Sequence, residues 1–360
     1  MTRPARLTAH AGIATSLDLL SDRELAGRVA AGTPLGTGIG GRAVWIAVEG
    51  REVFVKRVPL TDLERRPEHV RSTANLFALP AHCHYGIGAI GSPGFGAWRE
   101  LALHTMTTNW VLAGHFPGFP LLHHWRVLPD TPPLPDELAD TDRAVAYWDG
   151  GAGMRERIDG LRTASASLTL FLEHIPYTLH DWLDARLRTG SPDAACARAA
   201  AGLAALTDFL HRHGLLHLDA HFRNILTDGR QLYLADFGLS LSSRFRLAGD
   251  ERAFFGRHRA YDRVYTTYYL VIWLVTAVYG YGRAERGAFL RACAGGARAE
   301  GIPRAAAALI ERHAPLAVAM GDFCRGLERE SRHTPYPHTE LNRLYRGRGL
   351  PARRPGPCAR

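Results

Sequence analysis

The segment His217-Leu218-Asp219-Ala220-His221-Phe222-Arg223-Asn224, followed twelve residues later by Asp236-Phe237-Gly238, constrains this 360-residue chain more than any other feature. Between the two, NILTD and QLYLADF flank Asp228-Gly229 and read as short strands joined by a tight turn. Such a turn carries the two motifs on one local scaffold. Asp219 has the chemistry to take a proton from an attacking hydroxyl. Asn224 and Asp236 are oxygen donors of the kind that suits Mg²⁺.

Upstream, Leu35-Gly36-Thr37-Gly38-Ile39-Gly40-Gly41 contains a GxGxxG pattern at Gly36, Gly38 and Gly41. A dinucleotide-binding unit needs a strand before such glycines and a helix after them. Here AVWIAVEG and EVFVKRV alternate with period two on either side of Glu49-Gly50-Arg51, the pattern of a β-hairpin. The glycines precede its first strand, where backbone N–H groups without side chains in the way can close over phosphate oxygens. Lys56 falls on the second strand, folded back beneath that loop. It is the only Lys among 44 basic residues. An ammonium is a compact point charge that a broad guanidinium fork does not replace, and at this place it can hold the α- and β-phosphates of ATP.

In order and spacing, these elements resemble the signature set of the protein-kinase-like superfamily: Gly loop, strand Lys, helix Glu, HxDxxxxN and DFG, over roughly Leu35 to Gly282. The resemblance implies an α+β, bilobal protein-kinase-like fold. A small β-rich N-lobe would span 33–172, with an N-terminal extension over 1–32 and an inserted loop near 129–166. A larger helical C-lobe would span 173–330. ATP would bind between the lobes, its phosphates at Gly36, Gly38, Gly41 and Lys56. Phe171 to Ile175 would form the connecting hinge, with Glu173 and Ile175 at the adenine. Asp219 would be the base, with Mg²⁺ on Asn224 and Asp236. Two carboxylates compete to orient Lys56: Glu68 in LERRPEHVRSTANLF and Glu100 in WRELALHTMTTNW. Glu100 is favoured, because a helix followed by the strand FPGFPLLHHWRVL is the order the family shows.

The implied activity is ATP-dependent phosphotransfer to a hydroxyl acceptor, on a protein or a small molecule. The alternative is a nucleotide-binding pseudokinase scaffold without turnover. Leu218 stands where regulated protein kinases carry an Arg. His221, two residues after Asp219, resembles the order in aminoglycoside and choline kinases. No Ala-Pro-Glu occurs between Gly238 and Val264.

Composition excludes several classes. At 46% hydrophobic and 22% charged, the chain is not wholly disordered. Of the net charge of +9, Ser331–Arg360 holds seven Arg against one Glu, so the excess reads as a disordered basic tail rather than a nucleic-acid-binding surface. Five scattered cysteines without a CxxC read as free thiols of a cytoplasmic protein. His82-Cys83-His84 reads as a polar turn. Ser16–Ala31 reads as one helix capped by Asp18 or Ser21. Val264–Gly282 has no charged residue and matches a membrane span in length, but it carries five Tyr and stands alone. A buried core helix is expected instead.

Overall fold

The computed structural model describes residues 2–38 and 41–348. Ile39 and Gly40 of the glycine loop, and 349–360 of the basic tail, lie outside the described residues. The chain is α+β and divides into two units: 1–175 with 235–252, and 176–234 with 253–360.

The first unit is organised by the period-two pattern of its strands. A five-stranded antiparallel sheet has the order β1 (Thr33–Gly38), β2 (Gly41–Val48), β3 (Arg51–Leu60), β5 (Ala166–Glu173), β4 (Leu122–Pro129). Glu49 and Gly50 both have positive φ (51° and 67°), the twist that two-residue hairpin turns require. Successive residues of β3 point to opposite faces. Val53 and Val55 join a core with Ile13, Leu17, Leu25 and Val29 of α1 (Arg3–Asp18) and α2 (Asp22–Ala30). Val58 and Leu60 join a separate core with Ala97, Trp98 and Leu101 of α4 (Ala97–Leu112). Lys56 has the parity of the second set and so lies on the α4 side.

The N-terminal segment is therefore part of this unit rather than an extension of it. It also forms two helices instead of the one expected. The break falls at Leu19–Ser21, where Ser21 and Glu24 make a reciprocal capping box for α2. The expected loop at 129–166 is likewise mostly helical: α5 (Asp136–Ala139), α6 (Thr141–Trp148) and α7 (Gly151–Arg162). With 77–95 these helices enclose their own core around Phe77, Phe95, Trp148, Met154 and Ile158. Cys83 and His84 are buried here, so the expected polar turn is an interior 3-10 turn, Ala81–His84.

The second unit is mainly helical. It contains β6 (Tyr177–Thr178), α8 (Leu179–Thr189), α9 (Pro192–Arg212), β7 (Ile225–Thr227) and β8 (Leu232–Leu234), the strands pairing in the order β6-β7-β8. Helix α10 (Gly249–His258) runs into it, followed by α11 (Tyr261–Tyr279), α12 (Arg283–Ala294), α13 (Arg304–Arg329) and α14 (His338–Arg348). The apolar run becomes α11, packed on α9 and α13 with Val264, Leu270, Val271 and Leu274 buried. Among the described residues no helix is long and apolar enough to cross a membrane. Helix α14 occupies ground expected to be unstructured tail, and its Leu341 is fully buried.

Candidate active site

In the first unit, Lys56 sits mid-strand on β3, opposite Ala43 of β2 and Leu170 of β5. Its Nζ donates to Glu100 Oε1 at 2.7 Å and to Asp236 Oδ1 at 2.8 Å. Burial alone would lower the pKa of the ammonium. The two carboxylates outweigh that penalty and hold its pKa above the ordinary lysine value. Glu100 is buried, whereas the Asp236 side chain is 44% exposed. Asp236 adopts φ 63°, a left-handed conformation that is strained for a residue with a Cβ. Phe237, next in the chain, sets its ring edge-on to buried His104, one helical turn after Glu100. Glu68 lies exposed in the turn Pro67–His69 and makes no ion pair among the described residues.

Glu100 is held in place by its helix, and the helix is capped from outside. Gly96 at the N-cap of α4 has no side chain to offer. Instead buried Glu64 accepts the Ala97 N–H at 2.7 Å, and the Trp98 indole donates to the Glu64 carbonyl. Arg157 on α7 neutralises Glu64 at 2.7 Å. A second buried pair joins α4 to the chain after Asp236-Phe237-Gly238. Arg99 donates to Glu251 at 2.7 Å, and the imidazole of His84 bonds the Leu239 carbonyl. Burial opposes the charge on Glu251, but the neighbouring His84 imidazole, 3.7 Å away, and the Arg99 guanidinium prevail and pull its pKa down to about 2.

The glycines serve strand geometry. Gly38 and Gly41 are register partners that close the β1–β2 hairpin. Gly41 has φ 117°, and a Cβ there would meet the Arg57 carbonyl of β3 at 2.2 Å. Gly36 (φ 129°) lies at a register shift in β1. At the far end of β5, the Glu173 carboxylate is bound by Arg6 of α1 at 2.6 Å and its N–H donates to the Leu121 carbonyl. Both groups are thus engaged inside the unit, while Ile175 is buried at its end.

In the second unit, Asp219 and Asn224 lie on the loop before β7. The Asn224 amide donates to the Asp219 backbone carbonyl and to its Oδ2, both at 3.0 Å. That leaves the Asn224 carbonyl oxygen as the end available to a cation. His221 Nε2 stands 3.7 Å from Asp219 Oδ2. Leu218 has φ 67°. Buried Asp262, in the first turn of α11, accepts the His217 N–H at 2.7 Å and the Leu218 N–H at 2.9 Å. Burial pushes the Asp262 pKa up to about 6, against the pull of those two donors.

Sequence reasoning thus missed Glu64, Arg99, Arg157, Glu251 and Asp262. Asp262 left a visible trace, as an acid one turn before a long apolar run. The others act between segments far apart in sequence, which local pattern does not reveal. No protein-family model matches the chain.

Proposed function

We propose that this protein is a cytoplasmic phosphotransferase with a bilobal protein-kinase-like fold, moving the γ-phosphate of ATP to a hydroxyl acceptor with Mg²⁺. The observation that carries the reading is the single Lys of the chain, held between Glu100 and Asp236. A cation kept charged in a buried place, with one partner exposed, is suited to a polyphosphate. Lys56 would bind the α- and β-phosphates, and Glu100 would keep its ammonium on target. Asp219 would accept the proton of the acceptor hydroxyl, its carboxylate steered by the Asn224 amide.

Each unit has one oxygen donor of the kind that Mg²⁺ takes. The exposed Asp236 carboxylate and the Asn224 carbonyl are hard oxygens, and the Asn224 nitrogen is already turned towards Asp219. Bound Mg²⁺ neutralises phosphate charge. The acceptor is a hydroxyl on a protein or a small molecule.

The test is ADP release by the purified chain, with a metabolite panel and with casein-type proteins as acceptors. We expect Mg²⁺-dependent release. Asp219→Asn should abolish it while MgATP binding persists, and Asp236→Asn should weaken MgATP binding itself. Equal loss of binding in both variants would contradict this division of roles. Tight MgATP binding with no turnover on any acceptor would favour the scaffold reading.

A further inference from the structure

The second unit also holds a cavity of about 380 Å³. His211 at the end of α9 lines it, as does the α10–α11 turn with Arg257, Arg259, Ala260 and Arg263. The remaining wall is one face of α14, where His338, Asn342, Tyr345 and Arg346 stand at helical spacing. Four arginines therefore line one concavity, and no Asp or Glu is among its lining residues. Arg263 has a countercharge, Asp208 at 2.6 Å, and its Nε is buried with no acceptor among the described residues. Arg257, Arg259 and Arg346 form no ion pair among the described residues.

The backbone adds to this field. Helix α11 is 19 residues long, and its N-cap, Ala260, provides no side-chain cap. The N-terminal end of such a helix carries a partial positive charge. Asp262 sits in that first turn, but its carboxylate is engaged by the His217 and Leu218 N–H groups. The imidazole of His211 bonds the Arg259 carbonyl at 2.9 Å and so fixes the turn that presents the arginines.

We propose that this cavity binds a small phosphate-bearing ligand, a phosphomonoester or a pyrophosphate. Like charges around one cavity repel, and an oxyanion between them turns repulsion into charge-assisted hydrogen bonds. Guanidinium forks match phosphate oxygens in pairs. The volume is at the small end of the range for ligand pockets, about 300–1,000 Å³, which favours a compact ligand over a polymer. Half-buried Tyr345 offers an apolar wall to whatever carries the phosphate.

The experiment titrates inorganic pyrophosphate calorimetrically into the full chain carrying Lys56→Met, so that binding at the proposed ATP site does not mask the result. Saturable 1:1 binding is expected. Arg257→Gln with Arg259→Gln should weaken it about tenfold or more, two charge-assisted bonds being lost. Arg346→Gln alone should cause a smaller loss, which guards against misfolding of the double variant; thermal melting checks the fold of each. Unchanged affinity in a folded double variant, or no pyrophosphate binding at all, overturns the proposal. A second arm uses vesicles containing phosphatidic acid. Binding to vesicles without binding to pyrophosphate would assign the arginines to a membrane surface and equally overturn it.

Discussion

The ammonium of Lys56 has two carboxylate partners, Glu100 at 2.7 Å and Asp236 at 2.8 Å. Lys56→Arg keeps the charge but widens it from a point to a plane. We expect at least a hundredfold loss of ADP release, since displacement of about 1 Å in a reacting site costs on that order. The melting temperature should change little. Near-normal turnover by the Arg variant would remove Lys56 from the phosphates. Asp262 makes a second prediction at this scale. Its two oxygens each accept a backbone N–H, one from His217 and one from the strained Leu218. Asparagine has one carbonyl oxygen, so its NH₂ would face a donor. Asp262→Asn should lower unfolding free energy by about 1–3 kcal/mol and reduce kcat more than it raises KM. Denaturant melts and steady-state kinetics read the two effects. Lys56 and Asp219 stand out in the sequence because each lies within a local motif. For Asp262 the sequence shows an acid just ahead of an apolar run but not its partners, which lie 45 and 44 residues away.

At the level of elements, the orientation of α4 depends on chain segments that flank no motif. Helix, hairpin and strands were readable from periodicity, and the order of helix then strand pointed to Glu100 rather than Glu68. The brace around α4 was not readable. Its Pro-, Gly- and Asp-rich sequence over 129–166 reads as loop, yet α7 supplies Arg157 to the Glu64 that caps α4. The pair Arg99–Glu251 gives this brace a pH signature. The Arg99 guanidinium and the His84 imidazole outweigh burial and pull the Glu251 carboxyl down to about 2, below the ordinary carboxylate range near 4.5. The stability it contributes is therefore present above about pH 4.5 and is lost as pH falls towards 2. Glu251→Gln should be less stable than wild type at pH 7, and the gap should shrink as pH drops through that window. Urea melts at pH 7, 4 and 3 measure it; a gap independent of pH would show that the carboxylate charge is not what holds α4.

Across the molecule, each unit draws its core from segments that composition assigns to the periphery. In the first unit these are α1 and α2, read as an extension, whose Ile13, Leu17, Leu25 and Val29 cover one face of the sheet. In the second it is α14. Arginine richness made 331–360 read as tail, because counting charge along a helix hides the one face that is apolar. Leu341 is fully buried, and the Tyr336 ring lies against His258 and Phe323, with centroids 4.5 and 5.2 Å away. A chain ending at residue 330 would expose the surfaces that these groups cover on α11 and α13. We expect it to melt below the full-length protein and to yield less folded material. Truncation alone would not separate lost packing from lost charge, since it also removes Arg343 and Arg346. Leu341→Ala makes the separation, because it leaves every charge in place. A buried Leu→Ala change costs about 2–5 kcal/mol. If α14 is part of the core, this variant should reproduce much of the destabilisation seen on truncation. An unchanged denaturation midpoint for Leu341→Ala would mean that α14 rests on the second unit without stabilising it.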